Sequence, residues 1–312
     1  MNKFAIALHG GAGTIPRAVM TPENEALYRQ ALEQAVAIGS ALLQTGAPAL
    51  EAVTATVTFL EDSELFNAGK GSVFTKAGKH EMDAAIMCGK TLDAGAVSGV
   101  RNVRNPIKLA LSVLQHSDHV MLAYPGAEDF ARNHNLPFEP DEYFFTQQRY
   151  DQWKEIRDSD IFMLDHTEDA PIDKKFGTVG AVALDQAGNI AAATSTGGMT
   201  NKNFNRIGDT PIIGSGTYAN NATCAVSCTG HGEFFMRAVV AYDIACLMEY
   251  KNLTLQEACH LVVNDKLVKF GGEGGLVAID RAGNIALPFN SEGMYRAFRI
   301  NQEPAYIGIY KD

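Results

Sequence analysis

The chain has 312 residues, of which 46% are hydrophobic, and this composition excludes an intrinsically disordered protein. Its formal charge is −10, from 26 basic and 36 acidic residues, and the sequence carries no basic stripe. Nucleic acid and an anionic membrane surface are therefore poor candidates for partners, whereas small substrates carrying both charges remain allowed.

Five cysteines are present, an odd number whose spacing fits no zinc-binding pattern. They predict buried free thiols in a reducing compartment. No run of 18 apolar residues occurs, so no membrane span is expected. Residues 1–8 are too short and too abruptly ended for a signal peptide, which predicts a cytoplasmic protein.

The first half of the chain predicts one strand and three helices. Residues 4–8 form an apolar run of strand length, which the following glycines are expected to end. Thr21 and Pro22 carry a start signal for a helix to about residue 46. A second helix is predicted from about residue 48, and Asn105-Pro106 repeats the start signal for a third.

From about residue 138 to 176 the hydrophobic periodicity is lost and charge is dense. This pattern predicts a surface linker.

The second half predicts two β-hairpins with matching turns. Residues 178–194 and 275–289 each read as strand, Asp-x-Ala-Gly-Asn turn and strand. Two long helices are predicted between them. The first has an apolar stripe of Phe235, Val239, Tyr242 and Cys246; the second starts at a Thr254–Glu257 capping box and faces Leu255, Cys259 and Val262 inward. Paired strands and paired helices favour sheets packed face to face and covered by helices.

The junction of the linker with the first hairpin is the most informative point for chemistry. If the chain is cut after Gly177, Thr178 acquires a free α-amine beside its hydroxyl, and that amine has an ordinary pKa of about 7.7–8.0. This is the nucleophile-and-base pairing of an N-terminal threonine. Taken alone, a Gly-Thr pair also fits an ordinary strand residue.

Three other groups could complete such a site. Thr196 follows the partner strand of the hairpin and is expected beside Thr178, although it also fits a Ser/Thr-rich turn. The segment Cys228–Glu233 could supply an oxyanion hole through Thr229 and backbone N–H groups, or could be an ordinary helix start. Arg206 and Asp209 could hold the carboxylate and ammonium of an amino acid, or form a surface salt bridge.

Two glycine-rich loops could be mistaken for phosphate-binding loops. Residues 9–13 lack the glycine spacing of a dinucleotide fingerprint, and residues 67–72 have lysine in the wrong place for a P-loop. Backbone support beside the nucleophile suits both loops better.

Together these residues resemble the N-terminal-nucleophile (Ntn) hydrolases of the plant-type asparaginase, or isoaspartyl peptidase, kind. The resemblance covers nearly the whole chain except the linker. It rests on eight ordered motifs: His9-Gly10-Gly11-Ala12-Gly13, Asn67-Ala68-Gly69, Met82-Asp83-Ala84, residues 177–183, residues 194–199, Arg206-Ile207-Gly208-Asp209, residues 218–221 and residues 229–233.

The resemblance implies an α+β fold, the αββα four-layer sandwich of Ntn hydrolases. It also implies a precursor that cleaves itself into residues 1–177 and 178–312, with a flexible linker at about 140–177 before the cut. The two pieces would stay together as one structural domain, and two such units would pair as (αβ)₂.

The resemblance also assigns roles to site residues. Thr178 would be nucleophile and, through its amine, base; Thr196 would orient it. Thr229 and the Gly230 N–H would form the oxyanion hole. The substrate would be held by Arg206 at its α-carboxylate and by Asp209 and the Gly232 carbonyl at its α-ammonium, and Asn67 would lie behind the nucleophile.

No organic cofactor is implied. A structural sodium ion is implied in a loop that binds it through backbone carbonyls, here those of Leu60, Glu61, Phe66, Ala68 and Lys70. The sequence Asn203-Phe204-Asn205 departs from the common family pattern and leaves the leaving-group preference open.

The predicted activity is hydrolysis of L-asparagine and β-aspartyl dipeptides. Two alternatives remain at this stage: an aspartylglucosaminidase-like hydrolase of glycosyl-asparagine, and an uncleaved, non-enzymatic binding module.

Overall fold

The computed structural model describes residues 3–15, 17, 20–158 and 177–311. Within these ranges the strands are β1 (Ala5–Gly13), β2 (Met82–Cys88), β3 (Ala94–Val100), β4 (Met121–Ala123), β5 (Val179–Leu184), β6 (Ile190–Thr196), β7 (Thr217–Ala219), β8 (Cys224–Gly230), β9 (Gly274–Asp280), β10 (Ile285–Ala286), β11 (Gly293–Ile300) and β12 (Tyr306–Tyr310).

The helices in the same ranges are α1 (Pro22–Gln44), α2 (Ala49–Glu61), α3 (Pro106–His116), α4 (Tyr124–Asn133), α5 (Asp141–Phe144), α6 (Gln147–Ile156), α7 (Gly232–Ala238), α8 (Val240–Lys251), α9 (Leu255–His260) and α10 (Leu267–Lys269). A 3₁₀ turn covers Gly69–Gly71, and a π-helical stretch, Leu261–Lys266, joins α9 to α10. No described helix is both long and apolar enough to cross a membrane.

The strands form an eight-stranded sheet in the order β12-β11-β1-β5-β6-β2-β3-β4 and a four-stranded sheet in the order β10-β9-β8-β7. All neighbouring strands are antiparallel except β3 and β4. β5 and β6, the first predicted hairpin, therefore lie in the middle of the large sheet.

Alternation along the strands separates three apolar clusters. On β1, Ile6 and Leu8 pack with residues of α1 to α3, whereas Ala5 and Ala7 pack against the small sheet. The outer face of the small sheet is covered by residues of α7 to α10. The protein is thus a mixed fold of helices and sheets.

Several predicted boundaries are confirmed. Thr21 caps α1 by accepting from the Asn24 N–H at 3.2 Å, and Thr254 and Glu257 form the expected capping box. The three residues expected to face inward from that helix are buried.

The first predicted strand does not end at its glycines. β1 continues to Gly13, with a bulge between His9 and Gly11 in its pairing with β11. A side chain at Gly10 would overlap the Phe66 ring, and Gly11 has φ +115°, so the glycines allow close packing inside the sheet.

The predicted long helix with the Phe235 stripe is wrong in two respects. Val239 adopts φ 50°, which separates α7 from α8, and both Val239 and Tyr242 are exposed. The buried stripe of α8 is instead Val240, Ala241, Ile244 and Ala245, because the break rotates the second helix.

The linker prediction is wrong for its first part. Residues 141–156 form α5 and α6, which bury Phe144 and the Arg149 guanidinium; Arg149 donates to the Gly71 carbonyl at 2.9 Å. This polar segment folds because the buried Arg149 guanidinium has a hydrogen-bond acceptor in the Gly71 carbonyl. Hydrophobic periodicity cannot reveal such a contact. The rest of the predicted linker, 159–176, lies outside the described residues.

The second hairpin is shorter than predicted. Its return strand covers Ile285 and Ala286 only, followed by one isolated bridge from Phe289 to Gly275.

Candidate active site

Thr178 lies immediately before β5, at the end of the central hairpin. Its Oγ1 donates to Oγ1 of Thr196 at 3.0 Å, and the Gly198 N–H donates to the same Thr196 oxygen at 3.0 Å. The pairing of Val179 with Ser195 and the two-residue period of the strands place both hydroxyls on the face toward the small sheet. The predicted contact between the two threonines is present.

Thr229, near the end of β8, brings a third hydroxyl to this point. Its Oγ1 accepts from the Ala12 N–H at 3.1 Å, so the hydroxyl proton is available for another acceptor. A Cβ on Gly177 would lie 3.2 Å from that oxygen. Thr229 therefore sits against the peptide that precedes Thr178, where an oxyanion donor is needed.

Two glycines permit close backbone packing at the site, one beside this peptide and one at the end of β8. A Cβ on Gly11 would lie 2.5 Å from the Gly177 nitrogen. Gly230 has φ +152°, a conformation that other residues rarely adopt, and a Cβ there would lie 2.8 Å from Cα of Gly274. Both positions require glycine for backbone approach.

Arg206 is already engaged by a carboxylate. Its Nε and Nη2 each donate to Glu233 at 2.8 Å, and His231 Nδ1 lies 2.8 Å from the same carboxylate. Burial would raise the pKa of Glu233, but hydrogen bonds from His231 and Arg206 outweigh it and hold that pKa below its usual range. This contact was not predicted from the sequence, although Arg206 lies in the quoted motif 206–209 and His231 and Glu233 lie in the quoted motif 229–233.

Asp209 is buried close to Arg206. Burial raises the pKa of Asp209 to about 7, against the opposing effect of the Arg206 charge. Its Oδ2 has no hydrogen-bond partner among the described residues. A Cβ on Gly232 would lie 2.9 Å from both Asp209 Oδ1 and Arg206 Nη2, so the three predicted substrate-binding residues meet. The unpartnered oxygen is suited to receive an ammonium group.

Asn67 supports the turn after β6 from behind. Its Nδ2 donates to the Gly198 carbonyl at 2.7 Å, and its Oδ1 accepts from the Val73 N–H at 3.1 Å. The oxygen and the nitrogen of the side-chain amide are therefore both hydrogen-bonded.

These groups line one cleft. It has a volume of about 20 Å³, which is space for about one water molecule. Its lining includes Asn67, Gly177, Thr178, Thr196, Arg206, Asp209 and Gly230. Because Gly177 itself lines the cleft, the uncut chain leaves little room there for a substrate.

The side chain of His9, for which the sequence predicted no role, contacts Thr178. Nδ1 lies 3.0 Å from the Thr178 carbonyl oxygen and Nε2 lies 2.9 Å from Ser227 Oγ. The motif 9–13 contained the signal, but only the fold shows that β1 lies beside β5.

The predicted cation loop starts in the last turn of α2, at Leu60 and Glu61, and continues to Lys70. A Cβ on Gly71 would lie 2.8 Å from the Glu64 carbonyl oxygen and would overlap that of Phe66; one on Gly69 would overlap the Glu61 carbonyl oxygen. Backbone carbonyl oxygens of Glu61, Glu64 and Phe66 therefore lie close to this turn. Among the described residues no group of three or more His, Cys, Asp or Glu side chains could hold a metal ion.

Comparison with known proteins identifies the family of this chain. Residues 2–309 match the family model described as Asparaginase. The chain is 52% identical to the isoaspartyl peptidase of Salmonella typhimurium over 100% of both chains, and 52% identical to that of Escherichia coli over 100% of this chain and 98% of the relative. It is 40% identical to the plant-type L-asparaginase of Pyrococcus horikoshii over 94% of this chain and 95% of the relative. The chain therefore belongs to the asparaginase family that includes these isoaspartyl peptidases and plant-type L-asparaginases.

Proposed function

We propose that this protein is a self-cleaving amidohydrolase that acts on L-asparagine and β-aspartyl dipeptides through Thr178. The observation that carries the proposal is the 3.0 Å hydrogen bond from the Thr178 hydroxyl to Thr196, with Gly177 packed against Thr229. Nucleophile, orienting group and oxyanion donor thus surround the one peptide that must be cut.

Self-cleavage would begin when Oγ1 of Thr178 attacks the carbonyl carbon of Gly177. The bond from that carbon to the Thr178 nitrogen breaks, the nitrogen takes the hydroxyl proton, and an ester joins Gly177 to Oγ1. Water then hydrolyses the ester and leaves a carboxylate on Gly177 and a free amine on Thr178.

Turnover would use the freed amine as the base. It accepts the Thr178 hydroxyl proton while Oγ1 attacks the side-chain carbonyl of the substrate, and the Thr229 hydroxyl and Gly230 N–H stabilise the oxyanion. The proton passes to the leaving ammonia or amino acid. Water then hydrolyses the acyl-enzyme and releases aspartate.

Substrate recognition would use the pair of opposite charges at the cleft. Arg206 would exchange the Glu233 carboxylate for the α-carboxylate of the substrate, and the α-ammonium would bind the open oxygen of Asp209 and the Gly232 carbonyl. Because the pKa of Asp209 is about 7 before substrate binds, the carboxylate form that binds ammonium gains population as pH rises through 7.

Further features of the resemblance belong to the same proposal. They are the αββα arrangement of the four layers, the (αβ)₂ assembly, a sodium ion held by carbonyls of residues 60–70, and a cytoplasmic location. The crowded carbonyls around Gly69 and Gly71 support the sodium site.

The test compares the natural chain with Thr178→Ala. We expect the natural chain to give two bands on a denaturing gel, with a new amino terminus at residue 178 by mass spectrometry, and to hydrolyse both substrates. Thr178→Ala should stay at 33.6 kDa and be inactive. An active uncut chain, a new terminus elsewhere, or faster hydrolysis of glycosyl-asparagine than of either substrate would overturn the proposal.

A further inference from the structure

His9 joins the nucleophile residue to a row of buried hydroxyls between the two sheets. His9, Thr194, Thr217 and Ser227 are each 0% exposed. Ser227 Oγ lies 2.9 Å from His9 Nε2 and 2.7 Å from Thr194 Oγ1, and Thr217 Oγ1 lies 2.7 Å from Thr194 Oγ1. None of these side chains has a part in the mechanism above.

The acceptors at the two ends of the imidazole fix its tautomer. The Thr178 carbonyl oxygen, 3.0 Å from Nδ1, can only accept, so Nδ1 must carry the proton. Nε2 is then an acceptor, and Ser227 must donate its hydroxyl proton to it. Next in the row, Thr194 then donates to Ser227, and Thr217 donates to Thr194.

The surroundings keep this imidazole neutral. Burial lowers the pKa of His9 to about 3, against the smaller opposing effect of the Thr178 carbonyl. A neutral ring with one donor and one acceptor suits these two partners.

The sheet is also shaped to admit the His9–Ser227 contact. A Cβ on Gly180 would lie 2.6 Å from His9 Nε2 and would overlap the Ser227 hydroxyl. The absence of a side chain at position 180 therefore makes room for the pair. The pairing of β1 with β5 ends at the His9–Gly180 pair. Beyond that pair, the His9 imidazole contacts the carbonyl oxygen of Thr178.

We infer that His9 is a positioning residue: its Nδ1–H fixes the carbonyl of Thr178, and the hydroxyl row from Ser227 to Thr217 holds the ring in the tautomer that can do so. The inference rests on the proposed function, because it assigns the bond to the nucleophile residue. Fixing this carbonyl fixes the orientation of the peptide plane after Thr178, and thereby the direction in which its amine and hydroxyl project. His9 touches neither Arg206 nor the substrate in this scheme.

Two variants of similar size separate positioning from packing. The side-chain nitrogen of asparagine reaches the place of Nδ1, whereas that of glutamine reaches the place of Nε2. His9→Asn should therefore retain most of the self-cleavage rate and kcat, and His9→Gln should lose about 10- to 100-fold in both with KM unchanged. The value of kcat is expressed per free Thr178 amino terminus, so that slow maturation does not lower it.

The tautomer supplies a second readout. In protein labelled with ¹⁵N-histidine, the His9 ring should give the signals of a neutral ring protonated at Nδ1 from pH 5 to 8. Ser227→Ala should allow the other tautomer and lower kcat. That loss should vanish in the His9→Asn background, because asparagine does not reach Ser227.

The outcomes distinguish this inference from the proposed function. If the natural chain neither cleaves itself nor hydrolyses substrate, the proposed function fails. If the natural chain is active but His9→Asn and His9→Gln lose equal activity, or neither loses any, only the positioning role is overturned. A ring protonated at Nε2 in the natural chain overturns it as well.

Discussion

The β5–β6 and β9–β10 hairpins share an Asp-x-Ala-Gly-Asn turn but differ in the length of their paired strands and in their place in the sheets. In both turns the aspartate N–H donates to the asparagine carbonyl, at 2.9 Å in one and 3.1 Å in the other, and the glycine has φ 80° or 75°. The flanking strands differ. β5 and β6 pair over six residues in the middle of the large sheet, whereas β9 and β10 pair over two at the edge of the small one.

The turn sequence therefore fixes the local backbone shape, whereas the surrounding sheet determines how far the two strands pair beyond the turn. The two turns even touch, since Arg281 Nε donates to the Gly188 carbonyl at 2.7 Å. At the far end, full pairing of β5 with β6 brings the hydroxyls of Thr178 and Thr196 together. At the matching distance from the second turn, Ser291 lies beyond the paired strand and donates to Gly293 instead.

The largest expected difference in rate is between a variant at Thr196 and one at Ser291. Thr196→Ala should lower self-cleavage and kcat on the order of 10²-fold, because the Thr178 hydroxyl loses the acceptor that orients it. Ser291→Ala, at the matching position, should leave both rates unchanged. Time courses on denaturing gels and steady-state assays check this pair, and equal losses in the two variants would remove the distinction.

A smaller difference is expected at the two turn aspartates. Asp185 Oδ1 accepts from the Ala187 and Asn189 N–H groups, and its Oδ2 accepts from the Ala49 N–H at the start of α2 at 3.1 Å. Asp280 Oδ2 instead stays within its own turn, on Asn284. In the uncut Thr178→Ala chain, we expect Asp185→Ala to lower the free energy of unfolding by about 2 kcal/mol and Asp280→Ala by about 1 kcal/mol or less. Urea titrations measure both values; the opposite ranking would contradict the comparison.

The smallest effect is expected on the other face of the first hairpin, and it depends on pH. Ser195 donates to Glu61 Oε1 at 2.6 Å, and burial raises the pKa of Glu61 to about 8, above its ordinary 4.5. Stability from this group is therefore complete below pH 4.5 and is lost as pH rises through 8. Glu61→Gln cannot ionise, so the excess of its free energy of unfolding over that of the parent should grow by about 1 kcal/mol between pH 5 and pH 6. Urea midpoints that keep a constant difference across this range would refute the assignment.

The sequence predicted those parts of the molecule that depend on neighbours along the chain. The caps at Thr21 and Thr254, the two turns and the nearness of Thr178 to Thr196 follow from local spacing and hairpin pairing. Arg206, Asp209 and Thr229 were predicted from their residue types and given roles by the resemblance. The fold brings Arg206 and Asp209 to the same cleft and places Thr229 against Gly177.

What escaped prediction depends on contacts between distant segments. His9 meets Thr178 only because β1 inserts beside β5, and the Glu233–Arg206 pair forms across 27 positions of sequence. Arg149 folds a polar segment through a carbonyl on Gly71. No glycine or proline marks the break at Val239, so the apolar spacing predicted one continuous helix across it.

The order of strands in the large sheet has a consequence for the severed molecule. Strands from before position 178 alternate with strands from after it: β1 is enclosed by β11 and β5, and β2 adjoins β6. A break of the chain there leaves two interlaced polypeptides, neither of which retains the complete large sheet alone. Dilution should not separate the two polypeptides. Refolding after complete unfolding, however, requires two molecules to associate, so its yield should depend on concentration, unlike that of the uncut chain.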